Sequence, residues 1–398
     1  MTAIQHTSLL ACVLLLASIG CSSSSIDDDG DAPPDMMPPD MMMPPDYGLG
    51  DGTLASVQLE VIYTPALQVE LSATDLAWSA AVPGELWVTL RQLPSGKPCT
   101  ETVMTGCSAL PGVVSVITGA DGPASEAQIK EDGNSWHFMR RPTGIAWGDG
   151  ELFGTCGEAY TDNYENVPVP YAGPVLWSSN PAIFGVKPTA GQNGTHLDML
   201  HETPFCMGIA HEEGNAYWVF NGDVGSLDRY DFHVPHQIGG EDHADGEVFR
   251  YVTGELSRKA EVPSHLAYDS TRKLVYVADT GHGRVLSVDA STATPGGDIE
   301  TYETLQASGE MLDATVVELV PPGTLQAPSG LTLMGELLYV TDNATSQIHV
   351  FDLDGKELAS LDTGLPAGTL SGIAIGPDKR IYFTDLLSGS VRRIAPAP

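Results

Sequence analysis

One phrase recurs along this chain and limits the architectures open to it. Pro263-Ser-His-Leu-Ala-Tyr-Asp269 is followed by Leu274-Val-Tyr-Val-Ala-Asp279 and Arg284-Val-Leu-Ser-Val-Asp289. A second copy runs Pro328-Ser-Gly-Leu-Thr-Leu333, Leu337-Leu-Tyr-Val-Thr-Asp342 and Gln347-Ile-His-Val-Phe-Asp352, and a third occupies Leu370 to Ala395. Looser copies begin at Thr74-Asp-Leu-Ala-Trp78, Thr143-Gly-Ile-Ala-Trp147 and Met207-Gly-Ile-Ala-His211, which makes six. The apolar runs are short, aromatic and β-branched, and Gly, Asp, Pro and Asn turns separate them, so they read as strands. Each unit needs neighbours to bury its faces, and stacked small antiparallel sheets with a period of roughly 40 to 50 residues are the blades of a β-propeller.

The chain stops after a third strand, Ser390 to Ala395, while Ser56-Val-Gln-Leu-Glu-Val-Ile-Tyr63 alternates ahead of the first unit. The pattern therefore predicts an all-β, six-bladed propeller over residues 53–398, with the N-terminal strand completing the last blade. Such closure removes an exposed sheet edge. Units four to six resemble NHL repeats, whose phrase is Pro-x-Gly-hydrophobic-Ala, then Tyr-Val-Ala-Asp, then Arg-hydrophobic. The resemblance implies a fold and leaves the function open, because propellers host binding proteins, lyases and lactonases.

Residues 1–20 carry no charged side chain, and Leu9 to Ile19 is apolar but too short for a membrane span, which suits a signal peptide. Ser18-Ile-Gly-Cys21 resembles a bacterial lipobox, which implies lipidation at Cys21; Leu9-Leu-Ala-Cys12 also fits the box but leaves too short an apolar run. Residues 21–52, a Ser run with Asp27-Asp-Asp and repeated Pro-Pro-Asp-Met, have too little apolar surface to fold and read as a tether. The expectation is a cell-envelope protein held to the bacterial membrane by an N-terminal lipid. In a Gram-negative cell, Ser22 resembles an outer-membrane sorting residue.

Formal net charge is -34; residues 1–52 contain eight Asp and no Lys or Arg, leaving 44 acidic and 18 basic residues beyond. So acidic a surface repels nucleic acid. Once Cys12 and Cys21 are set aside, Cys99, Cys107, Cys156 and Cys206 remain, an even number for an oxidising compartment. Four Cys allow three connectivities; loop position favours Cys99 with Cys107, and strand order puts Cys156 and Cys206 at the same face, where they could join neighbouring blades. They lack the C-x-x-C spacing of zinc sites.

By strand order, the face on which the inner strands start, here the top face, gathers Thr74, Asp75, Thr143, Met207, Ser264, His265, Ser329 and Ser371. His265 and Asp75 fill a slot that is Gly144, Gly208, Gly330 and Gly372 in the other units. An imidazole and a carboxylate at the channel mouth suit cation binding or acid–base work. Arg141, His282, His196 and His201 are expected on the same face, and His196, His201 and His265 form a candidate metal set with an open position. A second cluster, His233, His236, His243 and Asp245, lies on the opposite face and suits a divalent cation, whether Zn, Ca or Cu. Met36, Met37, Met41, Met42 and Met43 offer thioethers to Cu(I), which with that cluster suggests metal capture. Asp279, Asp342 and Asp385 recur across blades, as a turn cap would.

Compared with peptidyl-hydroxyglycine lyase propellers, Thr143, Ser264 and Ser329 stand where zinc-binding His would be, and His265 is one residue out of step. Gluconolactonase-like propellers would need an Asn where Ser264 stands. The reading is thus a binding module whose partner is a protein or small molecule on the top face, served by loops at 91–112, 157–174 and 185–205. Its rival is an extracytoplasmic metal-dependent lyase or lactone hydrolase at the channel mouth.

Overall fold

The computed structural model describes residues 47–65, 71–92, 112–160, 172–186 and 193–397. Six sheets follow one another around an axis, the chain running outward from the innermost strand in each, except that the outermost strand of the last blade comes from the N-terminal end. The inner strands are Leu71–Trp78, Pro142–Trp147, Cys206–Glu213, Leu266–Asp269, Pro328–Met334 and Leu370–Ile375. The expected closure is present: Val57–Tyr63 pairs antiparallel with Val391–Pro396, from Val57 opposite Pro396 to Tyr63 opposite Val391. Glu60 fastens it by accepting from Arg393 Nε at 2.9 Å and Nη2 at 2.7 Å.

The repeat works because its aromatic slot is a packing slot. Trp87, Trp218, Tyr276, Tyr339 and Tyr382 occupy the same place in the second strands of blades one, three, four, five and six, opposite Ala77, Ala210, Ala267, Thr332 and Ala374 of the inner strands, and all are buried; blade two has Gly154 there and buries the neighbouring Phe153 on its other side. They pack between blades, as where Trp87 meets Phe153 with ring centroids 5.0 Å apart. A side chain of this size contributes about 1.5–3 kcal/mol on full burial. The recurring Asp caps turns as its repetition suggests. Asp342 Oδ1 accepts from the amides of Ala344 at 3.0 Å and Ala327 at 3.1 Å, and Asp385 Oδ1 accepts from Leu387 at 3.1 Å and Ser388 at 2.9 Å.

Two features tie the early blades together. Cys156, ending the second strand of blade two, is disulfide-bonded to Cys206, opening blade three, with Cα atoms 5.7 Å apart. The excursion between the third strand of blade four, Arg284–Asp289, and its fourth, Thr315–Val320, returns to blade three. There Ala307–Leu312 pairs in parallel with the outer strand Glu247–Tyr251, giving that sheet six strands. The repeat pattern contains no sign of this crossing.

Candidate functional site

On the axis, the polar groups expected to line an open mouth bond to one another. Thr143 Oγ1 donates to Cys206 O at 2.7 Å, Ser329 Oγ to Pro263 O at 2.8 Å, and Ser371 Oγ to Thr74 O at 2.7 Å. Ser264 Oγ and Thr280 Oγ1 lie 2.6 Å apart, and Thr280 Oγ1 also donates to Pro328 O. These hydroxyls are buried and run from blade to blade, so the starting end of the inner strands is a closed seam.

His265 and Asp75 face each other across the axis. His265 Nε2–H donates to Thr143 O at 2.9 Å, which fixes the tautomer, and Nδ1 lies 3.5 Å from Asp75 Oδ1. Asp75 Oδ1 accepts from Leu76 N at 2.8 Å and Oδ2 from Ile145 N at 2.9 Å. Burial pushes this carboxyl up, opposed by His265 and the two amides. Gly372 makes room: a Cβ there would stand 2.7 Å from Asp75 Oδ1. A cavity of about 290 Å³ starts at this pair and follows the inner strands to Trp78, Leu333 and Ile375. It therefore runs toward the face opposite the expected one.

Arg141 belongs to an ionic cluster at the starting end of the inner strands. The buried Glu158 carboxylate accepts from Arg91 Nη1 at 3.3 Å, Arg141 Nη2 at 3.3 Å, Arg258 Nη1 at 2.9 Å and the Glu261 amide at 3.0 Å. Glu261 in turn pairs with Arg91 and Arg141. A buried carboxylate satisfied this fully is held in place. His282, half-exposed, donates Nδ1–H to Asp279 Oδ2 at 2.9 Å and is committed to its own turn.

The structure does not bring His196 and His201 to His265. His196 sits on the outer strand of blade two, His196–Met199, and His201 just after it, whereas His265 adjoins the inner strand of blade four. They stand along the blade-two rim instead, His196 beside the cluster assigned to the opposite face and His201 between that cluster and Glu303. Segment 233–246 of blade three docks along the blade-two strand, His236 N donating to Leu197 O at 3.0 Å and Gly239 N to His196 O at 2.9 Å. Ring centroids of His196 and His236 are 4.9 Å apart, of His236 and His243 5.5 Å, and of His201 and His243 6.2 Å. His196 stacks on Phe138 at 3.8 Å, and burial, with His236 beside it, pushes it down to about 3.

Asp198, which the sequence reading did not single out, is the buried partner of this group. Its Oδ1 accepts from Met199 N and from His243 Nδ1, each at 2.8 Å. Burial drives its carboxyl up. Burial also works to lower His243, but the hydrogen bond and charge of Asp198 carry it above its ordinary value. His233 and Asp245 stand aside: His233 lies 3.7 Å from Asp231 and 3.5 Å from Glu247, while Asp245 Oδ2 accepts from Val234 N at 3.1 Å and closes the loop. The alternation of His196 and Asp198 on one strand was a readable signal for a shared side; the docking loop was not.

A second missed group lies on the top face of blade three. The crossing segment brings Tyr302 N to Glu202 Oε1, 2.6 Å, and Glu303 Oε2 to His201 Nδ1, 2.8 Å. Burial, with Glu303 adding to it against the Tyr302 amide and Arg250, pushes the Glu202 carboxyl up to about 8. Glu202, Pro204, Asn221, Val224, Arg250 and Tyr302 line a pocket of about 340 Å³. Arg250 is anchored beneath it on the buried Asp228, Nη2 to Oδ2 at 2.9 Å.

Cys21, the Met-rich tether, Cys99 and Cys107 lie outside the described residues. Among the described residues, no helix is long and apolar enough to cross a membrane.

No protein-family model matches the chain. NHL repeat-containing protein 2 of Homo sapiens is 30% identical over 170 residues, 42% of this chain and 21% of that protein, and its Gallus gallus counterpart is likewise 30% identical over 170 residues. The chain thus matches about a fifth of the length of these curated relatives. Among solved structures, a structural genomics protein of unknown function from Bacteroides thetaiotaomicron superposes with a TM-score of 0.51 at 10% identity, over 86% of this chain and 76% of that one. The six blades and the closing strand make the chain a six-bladed β-propeller, and its repeats are similar to those of NHL repeat-containing proteins.

Proposed function

We propose that this propeller is an envelope-anchored binding module, tethered by a lipid on Cys21, that takes a small molecule on the top face of blade three. One observation carries the reading: the axial polar groups are committed to each other, whereas the pocket beside Glu202 and Tyr302 is concave and of ligand size. A Glu202 carboxyl titrating at about 8 is mostly protonated at neutral pH and offers an O–H donor. Pro204, Val224 and the half-exposed Tyr302 ring supply apolar surface. The fitting ligand is an uncharged polar compound with an acceptor for Glu202 and a flat face for Tyr302. The rival reading, a metal-dependent lyase or lactone hydrolase at the axis, draws less support because His265 Nε2 and both Asp75 oxygens already have partners.

The test is a small-molecule thermal-shift screen on the full chain, with hits titrated against Tyr302→Ala and His265→Ala. Loss of affinity in Tyr302→Ala alone supports the blade-three site, and loss in His265→Ala alone moves the site to the axis. Anchoring is tested by Cys21→Ala, which should release the chain from the membrane pellet; continued sedimentation with membranes would refute the lipid tether.

A further inference from the structure

We infer that Asp198, His236 and His243 form a Zn2+ site where the blade-three loop docks on the outer strand of blade two. One ligand atom from each residue lies within 4.8 Å of those of the other two. Zinc bonds to nitrogen and oxygen of about 2.0–2.1 Å put neighbouring ligand atoms roughly 3.3 Å apart, so modest side-chain rotation closes the set.

The donor atoms are already prepared. Asp198 is 0% exposed, yet its Oδ2 has no hydrogen-bond partner, a costly arrangement for a buried carboxylate oxygen. His236 Nδ1–H donates to Gln237 O at 2.7 Å, which leaves the lone pair on Nε2, and that atom too is buried without a partner. His243 Nδ1 already stands 2.8 Å from Asp198 Oδ1, and an ion bound by both residues would take the place of the proton these atoms share. A cation here would satisfy both unpartnered atoms and complete the group.

Two imidazoles and one carboxylate select the ion. Calcium and magnesium prefer all-oxygen shells, whereas zinc accepts nitrogen with oxygen and leaves a fourth position to water. The ion would pin the loop to the blade-two edge at the point where main-chain bonds from His236 and Gly239 already hold it.

The experiment uses the full chain, free of any affinity tag, titrated with ZnCl2 in millimolar Ca2+ and Mg2+ and followed by calorimetry and elemental analysis. One equivalent of Zn2+ should bind and raise Tm, and Co2+ in its place should give the visible bands of a tetrahedral site. His236→Gln and His243→Gln should each weaken Zn2+ binding about tenfold or more, while His233→Gln and His282→Gln leave it unchanged. Asp198→Asn is the third variant; should it fail to fold, the two histidine variants on the loop decide the matter. Absence of a stoichiometric zinc, displacement of zinc by calcium, or binding untouched by both His236→Gln and His243→Gln would overturn the assignment.

Discussion

His265, beside the inner strand of blade four, donates its Nε2–H to the main-chain carbonyl of Thr143 in blade two, 2.9 Å away across the propeller axis. The residue that stands out most in the repeat is therefore a brace between blades, with Asp75 of blade one at its other nitrogen. Its substitution by Ala takes the donor from the buried Thr143 carbonyl and removes the ring beside the buried Asp75 carboxyl. His265→Ala should cost about 1–3 kcal/mol in urea unfolding. His282→Ala, at a half-exposed turn, should stay within about 1 kcal/mol; equal costs would mean that the axial brace adds nothing.

The Cys156–Cys206 bridge closes a loop of sequence separation 50. Chain-entropy reasoning assigns such a bridge about 4 kcal/mol, acting chiefly on the unfolded state. The Cys156→Ser, Cys206→Ser double variant should melt well below the parent. Added dithiothreitol should lower Tm in the parent and leave the variant unmoved.

Glu202 should give stability a distinct pH dependence. A carboxyl whose folded value, about 8, lies above its ordinary 4.5 binds its proton more tightly when folded. Its contribution is full below about 4.5 and fades as pH climbs through about 8. Between pH 6 and 9 the parent should lose stability relative to Glu202→Gln by about 2 kcal/mol, a figure reduced for partial solvent screening. Parallel curves for the two proteins would show that Glu202 ionises normally.

Ring closure depends on one strand. Deletion through residue 63 exposes Val391–Pro396 as a free edge and removes the buried Val57 and the Glu60–Arg393 ion pair. At about 1.5–3 kcal/mol for a fully buried apolar side chain, with the strand's main-chain bonds lost as well, several kcal/mol should go and association through the edge should follow. A chain starting at residue 47 should remain monodisperse in light scattering wherever the parent does, while one starting at residue 64 should aggregate.

The blades were legible because their signals are local. Alternation, the buried aromatic of the second strand and the turn-capping Asp279, Asp342 and Asp385 each act within a few residues, and six copies reinforce one another. The Cys156–Cys206 bridge followed from strand order, and the closing role of Ser56–Tyr63 from an unpaired third strand at the other end. Metal-ligand candidates were legible as residue types; their grouping was not. His196 and His201 were assigned to the axis with His265, but they stand at the blade-two rim with His236 and His243. Asp198 passed unnoticed because one Asp on a short strand carries no signal until a loop docks on it.

The sequence by itself determined the number of blades, the means of closure and the inter-blade disulfide, since these depend on periodicity and chain order. Tertiary structure alone decided that His265 and Asp75 spend their hydrogen bonds on neighbouring blades, and that the segment after Asp289 leaves its own blade to bring Tyr302 to Glu202 and Glu303 to His201. Those contacts join residues about a hundred positions apart through an excursion outside the repeat. No local propensity encodes such a meeting; it arises from where the packed sheets leave an edge to cover and buried charges to satisfy.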